Sequence, residues 1–165
     1  MTAAEEPVRK IRTPIRLDYT ITAGEAASRF LRGLTKQRIL GQRCPQCEKV
    51  YVPPRGGCPA CGVPTREEVQ LSHKGTITTF CIVNIPFAGA AIQIPYVCAS
   101  VLLDGADVTL FHLVQDVPAD EVRMGMRVEA VWAPDAELAP TSESIRYFRP
   151  TAEPDAPYES YKDKM

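Results

Sequence analysis

No sign of charge dominates this sequence: 19 basic side chains stand against 20 acidic ones, a formal net charge of −1. Without a basic excess there is no bulk pull toward nucleic acid, so partners must be chosen by shape and local chemistry. Long apolar runs are missing too. None approaches the roughly 20 residues of a membrane span, and the opening Met1-Thr2-Ala3-Ala4-Glu5-Glu6 has no apolar signal core, which points to a reducing cytoplasm. Catalytic punctuation is scarce. There are two histidines, and no carboxylate pair, nucleophile elbow or phosphate-cradling glycine loop is visible, so a self-sufficient active site is not expected. No internal repeat or low-complexity tract is found apart from two similar cysteine hairpins.

Those hairpins are Cys44-Pro45-Gln46-Cys47 and Cys58-Pro59-Ala60-Cys61-Gly62, and their spacing offers four thiolates to one tetrahedral ion. Each proline favours a tight turn, and Gly62 can take the left-handed conformation that points amides at a sulfur. The first hairpin has Glu48 and Lys49 where the second has Gly62 and Val63, so the two halves are not expected to be equally ideal. A structural Zn2+ on Cys44, Cys47, Cys58 and Cys61 is the expectation; two disulfides or an electron-carrying iron site are the alternatives. Four thiolates leave no open coordination position, which disfavours a metal-centred hydrolase.

A chain of 165 residues suits a small metal-stapled module beside a modest second domain. The expected fold is mainly β: an extended N-terminal arm over residues 1–23, an amphipathic helix over 24–38, a zinc ribbon over 39–68, a five-stranded OB-fold barrel over 69–150 and a tail over 151–165. In the arm, Ile11, Thr13, Ile15, Leu17, Tyr19 and Ile21 alternate with polar residues and Pro14, a strand-like pattern suited to an edge. The arm lies either on a partner's surface or back over its own domain. Thr22-Ala23-Gly24-Glu25 has capping-box spacing, and Ala27, Phe30, Leu31 and Leu34 form an apolar stripe, so a helix is expected from 24 to 36. Gly33 weakens that helix by about 1 kcal/mol relative to Ala. Arg29, Arg32 and Lys36 make a basic stripe that either meets phosphates or is simply solvated.

Between Ile39 and Glu68 the order reads strand, knuckle, strand, knuckle, strand, with Val50-Tyr51-Val52 in the middle. Five β-branched runs follow: Gly75 to Ile85, Tyr96 to Leu103, Val108 to Val114, Met126 to Trp132 and Ser144 to Phe148. Asp104-Gly105 signals a hairpin, and Pro118-Ala119-Asp120-Glu121 a single helical turn. Strands of this length and order suggest a small Greek-key barrel. The apolar loop Pro86 to Pro95 is a candidate contact surface. Cys81, Cys98 and His112 fall inside strand patterns and are expected to pack in the core; His73 reads as a turn residue.

The short helix, the Cys-Pro-x-Cys ribbon, the strand start Gly75-Thr76-Ile77, the five-stranded barrel and the closing Phe148-Arg149-Pro150 together carry a resemblance. Over about residues 25 to 150 the chain resembles the acyl-CoA-associated family that joins a rubredoxin-like zinc ribbon to an OB-fold, long catalogued as a domain of unknown function. The resemblance implies zinc on Cys44, Cys47, Cys58 and Cys61. It also implies a non-catalytic accessory subunit that pairs with a thiolase-superfamily enzyme and helps hold acyl-CoA. The chain looks most like the C-terminal domain of a steroid-degrading enoyl-CoA hydratase subunit, whose thiolase-like partner is a retro-aldolase. The shorter archaeal-type subunit, which links a thiolase to a synthase, is the nearest rival.

Coenzyme A needs cations for its phosphates and apolar surface for adenine and pantetheine. Candidates are Arg29, Arg32, Arg43, Lys49, Arg55 and Lys74 for charge, with Tyr51, Phe80 and Phe87 for stacking or lining. No catalytic residue carries over. Two-fold thiolase dimers imply a heterotetramer with two of each chain. A nucleic-acid-binding OB-fold is an alternative, but the strands lack the interleaved basic and aromatic face that single strands require. A stand-alone small-molecule enzyme or redox carrier is the third reading.

Overall fold

The computed structural model describes residues 17–86 and 92–165. Most of the expected arm and Phe87, the aromatic residue of the apolar loop, therefore lie outside the described residues. Leu17, Tyr19 and Ile21 are exposed and belong to no strand. An alternating pattern makes a strand only where an edge lies beside it, and no strand among the described residues pairs with these three.

Helix α1 spans Gly24–Leu34 and buries Phe30, Gly33 and Leu34. The expected capping box does not form: the N-cap is Ala23 and makes no side-chain cap bond. Thr22 sits one position too early, and Glu25 pairs instead with Arg29 one turn on. The helix also ends before residue 36. The amides of Lys36 and Arg38 both donate to the Gly33 carbonyl, at 2.9 and 3.0 Å, while Gln37 takes a left-handed φ of +52°. A Cβ on Gly33 would stand 2.9 Å from the Arg38 oxygen, so this turn needs the glycine that the helix itself would avoid.

The ribbon is a three-stranded antiparallel sheet in which β1 (Leu40–Arg43) lies between β2 (Val50–Tyr51) and β3 (Glu67–Gln70). Five further strands close a barrel: β4 (Lys74–Val83), β5 (Tyr96–Leu103), β6 (Leu110–Val114), β7 (Arg127–Trp132) and β8 (Ile145–Pro150). Their order around the barrel is β4-β5-β6-β8-β7. A parallel contact at Val114 and Phe148 joins β6 to β8, and Gly75 opposite Val128 closes β7 onto β4. This is OB-fold topology. β6 starts later than expected because Asp107 is engaged elsewhere: its amide donates to the Val50 carbonyl at 2.9 Å and ties the hairpin to the ribbon. The single turn expected after Pro118 is a 3-10 turn at Ala119–Glu121.

One irregularity changes which residues face the core. The β4–β5 register shifts between Ile77 and Thr79, leaving Thr78 as an extra, fully buried residue. A β-bulge of this kind inverts the two-residue alternation beyond it. Phe80 therefore packs against the core, while Cys81, expected inside, is exposed, and Cys98 opposite it is half-buried.

One apolar cluster runs through all three parts, from Phe30 and Leu34 of α1 through Ile39, Val50, Val52 and Leu71 to Ile77, Val97, Val101, Leu103, Val128 and Phe148 of the barrel. Burying each such side chain stabilises the fold by about 1.5–3 kcal/mol. The tail continues this packing. Arg123 grips the Asp155 carboxylate at 2.6 and 2.8 Å, Tyr161 is buried, and Lys164 pairs with Asp107 at 3.0 Å. Among the described residues, no helix is long and apolar enough to cross a membrane.

Candidate metal centre

The two knuckles fold hydrogen bond for hydrogen bond in the same way. The Glu48 amide donates to the Cys44 carbonyl at 3.0 Å, as Gly62 does to Cys58 at 2.9 Å. Cys44 and Cys58 donate back to Lys49 and Val63 at 2.9 and 2.8 Å. The amides of Cys47 and Cys61 point at Cys44 and Cys58 Sγ, at 3.5 and 3.4 Å. Glu48 and Gly62 share a left-handed backbone, φ +61° and +68°. The unequal halves expected from sequence are thus equal in geometry, with Glu48 held where glycine is preferred.

This arrangement converges four thiols. Their sulfur atoms lie within 4.8 Å of one another, and Cys47 and Cys58 Sγ are 3.7 Å apart. A tetrahedron built on Zn–S bonds of about 2.3 Å has edges of about 3.8 Å, so the cluster has the size such an ion needs. Amides aimed at the sulfurs supply the outer-sphere donors that thiolates attract.

Tyr51 completes the surroundings. Its hydroxyl lies 3.2 Å from Cys58 Sγ and donates to it when the sulfur is a thiolate. That bond pushes Cys58 down to about 6 and Tyr51 upward. Hydrogen bonding with Cys47, together with burial, pushes Cys61 up to about 12 without a cation, so metal capture displaces protons. Tyr51 is only 4% exposed, with its hydroxyl engaged. The fold thus places this candidate for stacking beside the sulfurs rather than on the open surface.

The other candidates are scattered. Phe80 is partly buried and packs against the core. Lys74 pairs with Glu153 at 2.5 Å, and the hydrogen bond raises its pKa. Arg43 pairs with Glu67 at 3.2 Å and donates to the Glu48 carbonyl. Lys49 lends its charge to Asp107, and Arg55 is exposed on the turn between the knuckles. Among the described candidates, only Arg29 and Arg32 come together, bordering a groove with Thr22, Gly24 and Ser28 at the start of α1. Arg29 also lines a cleft of about 330 Å³ between α1 and the ribbon, with Gln42, Gly56, Thr65 and Arg66. Gln42 and Thr65 are buried there, the Gln42 Oε1 accepting from the Gly56 amide and the Thr65 hydroxyl at 3.1 and 3.0 Å. Sequence reading missed this cleft, because no periodic signal connects Arg66 to a helix 37 residues earlier.

Neither histidine joins these groups. His73 Nδ1 accepts from Trp132 Nε1 at 3.3 Å, and His112 Nδ1 accepts from the Leu113 amide at 2.9 Å. His112 also packs edge-on to Phe148, and burial lowers its pKa.

Comparison with known proteins follows these features. The family model of the ChsH2 rubredoxin-like zinc ribbon domain matches residues 32–65, and that of the ChsH2 C-terminal OB-fold domain matches residues 68–133. A DUF35 domain-containing scaffold protein of Methanocaldococcus jannaschii is 38% identical over 96 residues, covering 57% of this chain and 67% of the relative. A protein described as a probable enoyl-CoA hydratase alpha subunit, from Thermomonospora curvata, is 30% identical over 116 residues, 70% of this chain and 34% of the relative. Among solved structures, an Ltp2-ChsH2(DUF35) aldolase matches with a TM-score of 0.60 and 24% identity, over 77% of this chain and 95% of that one. That likeness speaks to the fold.

Proposed function

The chain belongs to the DUF35 family, and from that premise we propose that it is a non-catalytic scaffold subunit of an acyl-CoA enzyme. The carrying observation is that Cys44, Cys47, Cys58 and Cys61 converge in an arrangement suited to holding an ion rather than meeting a substrate. In this reading Cys44, Cys47, Cys58 and Cys61 bind Zn2+, which replaces a core for the ribbon and supplies folding free energy. Chemistry then belongs to a partner. The partner is a thiolase-superfamily aldolase, and the complex is a cytoplasmic heterotetramer.

The reaction assigned to that partner is retro-aldol cleavage of a β-hydroxyacyl-CoA of the steroid side-chain class. A base on the partner takes the β-hydroxyl proton, the Cα–Cβ bond breaks to leave a ketone, and the electron pair becomes a thioester enolate. Protonation at Cα releases acetyl-CoA or propionyl-CoA. This chain contributes the cationic rim of the channel: Arg29, Arg32 and Arg66 stand on or beside the cleft between α1 and the ribbon and are assigned to coenzyme A phosphates. A second reading, implied by the resemblance to the archaeal-type subunit, is support of an acetoacetyl-CoA thiolase and synthase pair; the 38% identity to a DUF35 domain-containing scaffold protein fits a scaffold role under either reading.

Nucleic acid fits less well. The outer face of β5 and β6, where OB-folds commonly bind, presents Tyr96, Cys98, Ser100, Phe111 and Leu113 and no cation. The test is co-purification of the tagged chain with candidate thiolase-like proteins, followed by cleavage and condensation assays on each component and on the complex. β-Hydroxyacyl-CoA cleavage by the complex alone supports the aldolase reading, and acetoacetyl-CoA turnover the second. Cleavage by the isolated chain would refute both.

A further inference from the structure

The bulge at Thr78 has a chemical consequence away from the ribbon. Beyond it, Cys81 pairs directly with Cys98 in the β4–β5 ladder. Their neighbours Phe80, Val97 and Ala99 pack inward, so the two thiols share the outer face of the barrel. Both are free cysteines, Cys81 exposed and Cys98 half-buried. Residues directly opposite one another in an antiparallel pair have Cα atoms about 4.5–5.5 Å apart, within the roughly 4.4–6.8 Å that a disulfide spans.

We propose that Cys81 and Cys98 form a reversible dithiol–disulfide site that reacts with low-molecular-weight disulfides of the glutathione class. Exposed Cys81 initiates: its thiolate attacks one sulfur of glutathione disulfide, forming a mixed disulfide and expelling one glutathione thiolate. Cys98 then loses its proton and attacks the Cys81 sulfur, which expels the second glutathione. Two protein thiols are oxidised and one glutathione disulfide is reduced to two thiols, so atoms and electrons balance. Burial and the neighbouring Cys81 raise the pKa of Cys98, which suits it to resolving the mixed disulfide rather than starting the exchange. The bond fastens β4 to β5 near Val83 and Tyr96, where the first strand ends and the second begins. Tyr96, paired with Val83, and Leu113, paired with Cys98, lie on the same outer face. Exposed disulfides of this kind are the labile, regulatory class.

The experiment uses the zinc-loaded full chain in glutathione buffers running from fully reduced to fully oxidised. Remaining thiols are blocked with N-ethylmaleimide under denaturing conditions, and the chain is cut with chymotrypsin, which separates the two cysteines at Tyr96. The expected result is a peptide bearing Cys81 linked to one bearing Cys98, released by dithiothreitol, with zinc content unchanged. Cys98→Ser should instead trap glutathione on Cys81. Maleimide on both residues at every buffer ratio, or Cys81 linked between two chains, overturns the proposal. Should Cys98→Ser lose zinc or fail to fold, the peptide map of the natural sequence decides alone.

Discussion

Removing the Tyr51 hydroxyl tests whether the cysteine cluster is held by its surroundings as well as by its spacing. Tyr51→Phe keeps the ring that packs among Cys44 and Cys58 and deletes only the donor 3.2 Å from Cys58 Sγ. A hydrogen bond to a charged acceptor contributes about 1.5–3 kcal/mol. Loss of one outer-sphere partner commonly lowers metal affinity about 10- to 100-fold, which is about 1.4–2.7 kcal/mol. Cys58 keeps the Cys61 amide at 3.4 Å and stays 3% exposed, so the lower part of that range applies. We expect a roughly 10- to 30-fold rise in the zinc dissociation constant, read by competition with a chromophoric chelator. The melting temperature of the zinc-loaded chain should fall while that of the metal-free barrel stays put. A dissociation constant within about threefold of the natural chain would refute the reasoning, because a donor of this class cannot be lost so cheaply. Equal destabilisation with and without metal would mean that the hydroxyl serves packing instead.

Glu48→Gly should stabilise the ribbon by about 0.5–1 kcal/mol, since it relieves a left-handed residue at the first knuckle; a lower melting temperature of the zinc-loaded chain would count against this. Asp107→Ala removes the acceptor of the Val50 amide and the partner of Lys164, so urea unfolding at pH 7 should show a loss of about 2 kcal/mol. Burial opposes ionisation of Asp107, but the Val50 amide and Lys164 outweigh it and hold the carboxyl below its ordinary 3.8. Its contribution is therefore present above that value and lost as pH falls through the lower folded one, so the gap between variant and natural chain should close in acid. His112 has the same sense of dependence: burial lowers its pKa from 6.5, so stability is full above 6.5 and declines as protonation favours the unfolded chain below it. His112→Gln should flatten that decline, and an unchanged slope of melting temperature against pH would show that His112 is not its source.

Much of this protein was legible without coordinates, and the reason is that local chemistry repeats at fixed intervals. Two Cys-x2-Cys hairpins can converge on an ion because each knuckle is built from bonds between residues three to five apart. The apolar stripe of α1, the Asp104-Gly105 hairpin and the alternation of β5 are equally local. What failed was local reasoning at points settled by distant neighbours. Thr22 and Glu25 have capping spacing, yet α1 starts at Gly24 and leaves Thr22 outside. Nothing local to Tyr51 says that the fold turns its hydroxyl onto Cys58. Phe80 and Cys81 exchange faces because one extra residue, Thr78, enters β4 opposite Ser100.

Composition and spacing alone thus determined a mainly β chain with a four-thiol ribbon, because thiolate coordination and strand alternation depend on residues close in sequence. The tertiary structure alone decided which side chains share a surface. Arg29 and Arg66 line one cleft, Asp107 joins ribbon, barrel and tail, and Cys81 stands beside Cys98. Each of these depends on strand register and chain return over tens of residues, and register is set by the whole packed core rather than by any local run.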